Sequence, residues 1–307
     1  MLAYAVRRLA SAVPTLFIII TLAFFMMRVA PGGPFDMERQ LPEEIEANIL
    51  RAYNLDKPVY AQYFDYLKNI VRGDFGPSFK YLDFSVTDLI SAGFPVSLRL
   101  GLTAIVLAIV FGITAGTLAA IRQNSLLDYL VMGAAMTGIV IPNFVMAPLL
   151  TLVFGVYLSW LPVAGWNGGA WQNQILPIIT LALPQIAYIA RLTRGSMVET
   201  LHSNHIRTAR AKGLSERIVV VRHALKGGLL PVISYLGPAT AAVITGSVVI
   251  ESIFDVPGIG RYFVNGAINR DYPVVMGVVI FYATLIICLN LLVDLVYGFL
   301  DPRVKVK

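Results

Sequence analysis

Residues 129–190 read YLVMGAAMTGIVIPNFVMAPLLTLVFGVYLSWLPVAGWNGGAWQNQILPIITLALPQIAYIA, 62 consecutive residues without an Asp, Glu, Lys, Arg or His. A helix needs roughly 20 apolar residues to cross about 30 Å of hydrocarbon, so this run is too long for one crossing. Its middle, Ser159 to Asn173, holds Trp160, Trp166 and Trp171 together with Pro162, Gly165, Gly168 and Gly169. Tryptophan concentrates at the lipid–water boundary, and Gly and Pro punctuate helices. The stretch therefore reads as crossing, turn, crossing.

Outward from it, Leu9–Met27 and Leu100–Ile121 are two further uncharged runs of crossing length, and spans near 228–250 and 273–293 bring the total to six. Barrel strands are about 9 to 11 residues long and alternate apolar with polar, whereas Ile18-Ile19-Ile20 and Val248-Val249-Ile250 do not alternate. Charged residues make up 14% of the 307-residue chain, against about 25% in soluble domains. That difference excludes an ordinary soluble fold. The first run resembles a secretion signal, but its apolar core exceeds the usual 7 to 15 residues or so, and Phe and Met stand where cleavage needs small residues. The single cysteine, Cys288, excludes a disulfide framework or a thiolate metal cluster within the chain.

The expected fold is all-α, a polytopic membrane protein with six transmembrane helices. Residues 1–29 form the first, 30–95 a large extracytoplasmic helical segment, 96–301 a five-helix core containing the loop 191–227, and 302–307 a tail. Orientation follows from Lys and Arg near the span ends. Arg7, Arg8, Arg122, eight basic residues between Arg191 and Lys226, and Arg303, Lys305 and Lys307 all fall on one side. The opposite segment, 30–95, carries six basic and ten acidic residues. Both termini are therefore expected in the cytoplasm, and topology explains the net charge of +6 without nucleic acid. In the outer segment, Pro42 with Glu43 and Glu44 suits a helix start. A second helix is expected from Pro58, aligning Tyr60, Phe64, Leu67 and Val71 before Gly73 ends it.

The inner loop is the most informative candidate site. Ser203 or Asn204 suits an N-cap, and Gly213 suits the left-handed position after a helix. Between them lie Arg207, Thr208, Ala209, Arg210, Ala211 and Lys212, with Leu214 just beyond. About nine residues make a rod of roughly 13 Å. Arg210 and Lys212 place positive charge at its negative end, and Ala209 and Ala211 allow close approach by another surface. A basic rod of this kind suits a partner protein's groove, and it equally suits adsorption on anionic membrane lipid.

Candidate pathway residues are less sharply marked. Pro142-Asn143 and Pro148 interrupt the third span, and Pro177 and Pro184 the fourth, either as breaks beside a cavity or as packed kinks. Asn143, Thr245, Gly246, Ser247, Asn290 and Asp294 are the polar or small residues in or beside spans that suit a passage, although small residues equally let helices pack. His202, His205 and His223 make a weak metal case without further ligands. No metal or catalytic residue is assigned.

The stretch Arg207-Thr-Ala-Arg-Ala-Lys-Gly-Leu214, with Arg222-His223-Ala224-Leu225 and Leu230-Pro231, resembles the cytoplasmic loop of bacterial ATP-binding-cassette importer permeases, and more narrowly their peptide and nickel group. The usual Glu-Ala-Ala opening reads Arg207-Thr208-Ala209 here, as in the peptide members. Gly73-Asp74-Phe75-Gly76 with Ser78, Pro257-Gly258-Ile259-Gly260 after Glu251, Asn269-Arg270-Asp271-Tyr272-Pro273 and Asp301-Pro302-Arg303 extend the similarity along the chain. The wording at 75–81, 166–169 and 202–204 is most similar to oligopeptide permeases.

The resemblance implies a pore-forming subunit of a binding-protein-dependent oligopeptide importer. Dipeptide, glutathione and nickel permeases are the near alternatives. It implies a second homologous permease, two ATPase subunits holding ATP and Mg, and an extracytoplasmic peptide-binding protein. The rod from Ser203 to Lys212 would be the coupling helix. The chain has no Gly-x-x-x-x-Gly-Lys-Ser/Thr phosphate loop, so no cofactor of its own is expected and the chain is not an enzyme. An ion-coupled secondary transporter would need a titratable cluster in mid-span, where this sequence shows few charges.

Overall fold

In the computed structural model, which describes residues 2–29, 56–81 and 83–300, the long uncharged runs fold as helices. A backbone in hydrocarbon must satisfy its own polar groups, and helices do so within one segment. The elements are α1 (Leu2–Val29), α2 (Val59–Val71), α3 (Val86–Ile121), α4 (Leu126–Val140) and α5 (Asn143–Leu150), which continues as π-helical turns over Thr151–Tyr157. Then follow α6 (Trp171–Leu201), α7 (Asn204–Ala211), short helical turns from Glu216 to Gly228, α8 (Leu230–Gly246), α9 (Val248–Ile253), α10 (Ile259–Ile268) and α11 (Tyr272–Leu300).

Five helical stretches are long and apolar enough to cross a membrane: Ala10–Val29, Val86–Ile121, Trp171–Leu201, Leu230–Ile253 and Tyr272–Val293. The third expected crossing differs from a simple span. Leu126–Val140 and Asn143–Tyr157 meet at a bend of 106°. Ile141 is extended and Pro142 (φ −63°, ψ 147°) opens α5, because a residue before proline is driven out of the helical region. Pro177 and Pro184, by contrast, do not interrupt the fourth span: α6 runs through both. Its close packing on α3 holds it continuous, and neighbouring helices make a missing ladder bond tolerable. Likewise the boundary at 95/96 falls inside a helix, since α3 begins at Val86. A capping box at Ser85 sets that start: its hydroxyl accepts from Asp88 N and the Asp88 carboxylate accepts from Ser85 N.

Small residues set the packing of α3 against α6. A methyl at Gly116 would stand 2.4 Å from Ala190 O, and one at Gly112 would stand 2.7 Å from Ile189 Cβ. Without a solvent-driven force between helices in lipid, this close approach supplies contact. Leu100, Ala104, Leu176, Leu181, Ala239, Val243, Ile250 and Phe254 form the central core of α3, α6, α8 and α9.

The outer helix α2 forms where expected, with Pro58 before it and Gly73 (φ +78°) after it. Its packing face is another one. Tyr60, Phe64 and Val71 are exposed, while Tyr63 and Tyr66 turn toward α1. The Tyr63 and Tyr66 rings lie 5.3 and 5.8 Å from that of buried Phe24, and the Tyr63 hydroxyl is 2.7 Å from Thr21 Oγ1. Tyr63 satisfies both the apolar contact and its polar tip, while Tyr66 adds its ring contact with a buried hydroxyl that has no partner among the described residues. Ring packing on Phe24 thus decides the face over the more hydrophobic stripe. The helix expected from Pro42 lies outside the described residues.

Two segments far apart in sequence meet at the start of α11. Asp271 is fully buried and its carboxylate accepts from Ser78 Oγ, Phe79 N (3.1 Å), Lys80 N (3.1 Å) and Val274 N (3.4 Å). It thus caps α11 and pins the loop that follows Gly73-Asp-Phe-Gly76. Asp271→Ala leaves buried amides unpaired and is expected to cost about 2–3 kcal/mol. A lowered unfolding temperature in detergent and faster proteolysis at residues 74–81 would report it; unchanged proteolysis at that loop would contradict the pinning.

Candidate coupling surface

The helix α7 has the ends that the sequence predicts, with one difference in how they are made. Ser203 stands at the N-cap with extended backbone (φ −72°, ψ 157°). Its hydroxyl does not cap: it donates to Thr200 O at 2.6 Å and lies 2.9 Å from His205 Nδ1. At the other end Gly213 has φ +76°. The Gly213 amide donates to Arg210 O (2.9 Å) and the Leu214 amide to Ala209 O (3.4 Å). These two bonds are the Schellman arrangement, which consumes otherwise orphaned carbonyls and needs a left-handed residue. A Cβ on Gly213 would meet nothing within 4 Å, so backbone strain alone favours glycine there.

One face of α7 is fixed to its own chain. Ile206 is fully buried and Ala209 nearly so, packed with Ala120, Met197, Leu201, Val219, Val220 and Ala224, with Leu214 at the edge. Ala209 therefore allows close approach by this chain's own bundle and not by an outside surface, because its methyl points inward. Arg210 is likewise engaged internally. Its guanidinium makes a two-pronged pair with Glu216 (Nε–Oε1 2.8 Å, Nη2–Oε2 3.2 Å) and reaches Leu201 O at 3.5 Å. Asn204, His205, Arg207, Thr208, Ala211 and Lys212 remain exposed on the opposite side.

Two buried ionic or polar centres that sequence reading missed stand beside this loop and at the far side of the core. Asp128, 2% exposed in its side chain, holds Arg194 through Nε–Oδ1 (2.8 Å) and Nη2–Oδ2 (2.7 Å) and also accepts from Asn124 N at 2.9 Å. This ties the start of α4 to α6 about two turns before the end of α6. Planar guanidinium matches carboxylate geometry in this way. The signal was an acid three residues after Ser125, readable as a helix start, but nothing in the sequence paired it with position 194.

The second centre is Glu251, fully buried in α9 and not in an outer loop. Its carboxylate accepts from Ser247 Oγ, from Ser97 Oγ and from the amides of Gly260 (2.8 Å) and Arg261. It occupies the positive start of α10, where anions are favoured. A Cβ on Gly258 would fall 2.3 Å from Glu251 Oε2, and one on Gly260 would fall 2.4 Å from Val248 Cα. The Pro257-Gly-Ile-Gly260 motif is therefore the space that this carboxylate requires.

The pathway candidates are not gathered in one place by these contacts. Asn143 opens α5, and its buried Oδ1 has no hydrogen-bond partner among the described residues. Thr245 is half-buried and bonds back to Ala241 O at 2.8 Å. Gly246 ends α8. Ser247 is fully buried between Ile244 O and Glu251, which makes it part of the packed interior. Asn290 is half-buried in α11, and Asp294 lies further along the same helix. Among the described residues no group of three His, Cys, Asp or Glu side chains could hold a metal ion.

A family model for the "Binding-protein-dependent transport system inner membrane component" matches residues 108–306, and the companion model for the N-terminal part of such components matches residues 1–101. The chain belongs to this permease family. The permease is 57% identical over 305 residues to the "Oligopeptide transport system permease protein OppB" of Escherichia coli K12, covering 99% of this chain and all of that one. It is 55% identical to the protein of the same description in Haemophilus influenzae, again over 99% of this chain and 100% of the relative. The "Dipeptide transport system permease protein DppB" of Bacillus subtilis is 48% identical over 98% of this chain and 97% of its own length.

Among solved structures, an inward-facing form of the MetNI methionine ABC transporter matches with a TM-score of 0.60 at 16% identity, over 69% of this permease and 96% of that chain. An amino acid ABC transporter matches with a TM-score of 0.53 at 15% identity, over 69% and 94%. These likenesses establish a shared permease fold. The family and the long apolar helices make the protein a multi-pass component of the inner membrane.

The inward face of α7 yields a measurable expectation. Ile206→Ala should weaken its docking by about 2–4 kcal/mol, read as faster hydrogen exchange of amides 206–211. The Arg210–Glu216 pair carries a pH sign: hydrogen bonding to Arg210 holds the Glu216 carboxyl below its ordinary value of 4.5. Its contribution is complete above that value and is lost as pH falls through the depressed one. Protection of amides 210–216, taken relative to the exchange rate of an unstructured peptide at the same pH, should thus be the same at pH 5 and pH 7 and fall in stronger acid; protection that drops on going from pH 5 to pH 7 would contradict it.

Proposed function

We propose that the chain is one of two homologous pore-forming permeases in an ATP-driven, binding-protein-dependent oligopeptide importer. Identity of 57% along 99% of the chain to an oligopeptide permease carries the substrate class. A dipeptide substrate is the second reading, favoured by the 48% identity to a dipeptide permease. Two ATPase subunits would bind ATP and Mg, while this chain would bind no cofactor. An extracytoplasmic binding protein would deliver the peptide.

In this reading the bent pair α4–α5 counts as one crossing. There are then six, both termini are cytoplasmic, and residues 191–227 face the ATPases. The exposed side of α7, from Asn204 to Lys212, is the coupling surface, with Arg207, Thr208, Ala211 and Lys212 meeting the partner's groove. Ala209 supports it from within, and Arg210 braces it through its pair with Glu216. Closure of the ATPases displaces α7. Because Ile206 and Ala209 pack on Met197 and Leu201 of α6, the displacement passes into α6. The Asp128–Arg194 pair carries it on to α4. Asn143, Thr245, Gly246, Asn290 and Asp294 remain candidate pathway positions.

Uptake of di-, tri- and pentapeptides by the reconstituted assembly, with nickel as control, tests the substrate class. Import of nickel without peptide would overturn it. Gly213→Asp tests coupling: a side chain in a left-handed position costs about 1–2 kcal/mol and changes the exit angle of α7. The variant should hydrolyse ATP with little peptide uptake, or fail to co-purify with the ATPases. Full uptake with normal stimulation of hydrolysis would remove α7 from the mechanism.

A further inference from the structure

The lateral surfaces of the helices are of two kinds. Large apolar side chains stand exposed on α1 (Phe17, Ile18, Leu22), on α3 (Val106, Val110, Phe111) and on α4 (Leu130, Met136). Such surfaces suit acyl chains. On α8 no large apolar side chain is exposed among the described residues, and on α6 the exposed one is Trp171 at its first position. The exposed positions of α8 are small or polar, Ser234, Pro238 and Ala242 among them.

Where α6 and α8 face each other, four side chains form a connected group. The Tyr235 hydroxyl donates to Gln185 Oε1 at 2.8 Å. The rings of Tyr235 and Tyr188 stack with centroids 5.8 Å apart and planes 27° apart. The Arg191 guanidinium carbon lies 5.2 Å from the Tyr188 centroid. Gln185, Tyr188 and Arg191 rise about 9 Å along α6. Arg191 is exposed and forms no ion pair with any described residue. It lies 20 residues beyond Trp171, about 30 Å along the helix, which is the far end of the span.

At the end of a span an unneutralised guanidinium reaches the interface, water or an anionic partner. The absence of exposed large apolar side chains on the adjoining face of α8, among the described residues, favours water or a partner over acyl chains. The neighbours specify which ligand suits it. Two half-buried phenol rings and the Gln185 amide nitrogen, whose oxygen is already taken by Tyr235, suit a peptide unit, and the guanidinium suits a carboxylate, to which it bonds in two places. We propose that Gln185, Tyr188, Arg191 and Tyr235 form a contact site at the inner mouth of the passage, with Arg191 receiving the carboxylate of the peptide in transit. The site rests on the peptide-import reading above and adds a location and a chemical handle to it. Tyr188 and Tyr235 position the guanidinium, and Gln185 fixes the Tyr235 hydroxyl.

The test uses the full assembly in lipid vesicles, with Tyr188 replaced by the photoreactive p-benzoylphenylalanine. Illumination during ATP turnover with a tritium-labelled tripeptide should attach label to this chain, while the same replacement at Phe111 should capture lipid. Arg191→Gln should lower tripeptide uptake at subsaturating concentration by about tenfold, with Arg191→Lys recovering part of it. If position 188 captures only lipid or only the second permease, the site is a lipid or subunit contact and the proposal falls. Wild-type uptake by Arg191→Gln would sink it equally. The capture experiment keeps Arg191 in place, so misassembly of that variant does not blunt it. An unmodified assembly that imports no peptide would instead overturn the peptide reading itself.

Discussion

The structure depends on carboxylates that take up backbone amides where helices begin inside apolar surroundings. Asp128, Glu251 and Asp271 are nearly or fully buried, and each accepts from at least one main-chain N–H at or beside a helix start. A helix start exposes four amides without partners, and in a membrane protein no lipid tail can satisfy them. The acid supplies acceptors and meets the positive end of the helix dipole. Each also recruits a second segment: Arg194 for Asp128, Ser97 and Ser247 for Glu251, and the loop at Ser78–Lys80 for Asp271. The same groups that solve a local problem therefore set the tertiary connections.

Those connections seat α7 on the bundle. A short exposed helix is marginal by itself, but α7 is closed by the two bonds at Gly213 and Leu214, seated through Ile206 and Ala209, and braced by Arg210 on Glu216. Its seat is the end of α6, and Arg194 of α6 reaches the start of α4. The bend at Ile141–Pro142 lies at the other end of α4. In the proposed importer, a push on α7 would be passed through these contacts as far as the bend.

Legibility in the sequence followed the range of the interaction. The runs of apolar residues, the turn at Ser159–Asn173, the start of α2 after Pro58 and the ends of α7 were readable, since hydropathy, proline geometry and the left-handed tolerance of glycine act within a few residues. Reading was weaker wherever two elements competed for one residue. Tyr60, Phe64 and Val71 formed the more apolar stripe of α2, yet Tyr63 and Tyr66 won because Phe24 and Thr21 offered ring contacts and a hydroxyl partner. Pro177 and Pro184 looked like interruptions, yet α6, packed on α3, runs unbroken through them. Glu251 looked like the first residue of an outer loop, and only the fold brought Gly260 to it.

The sequence by itself determined that this chain is a helical, multi-pass membrane component with a short basic helix closed by Gly213, and its motifs matched a transport permease. Tertiary structure alone decided that Ala209 faces inward and that Arg210 pairs with Glu216, that Asp128 meets Arg194, that Glu251 fills the space left by Gly258 and Gly260, and that Gln185, Tyr188, Arg191 and Tyr235 converge. Hydropathy and backbone propensity are written residue by residue along a strand of text. Which buried acid finds which amide or guanidinium depends on how helices cross, and crossing is fixed by side chains more than a hundred positions apart as readily as by neighbours.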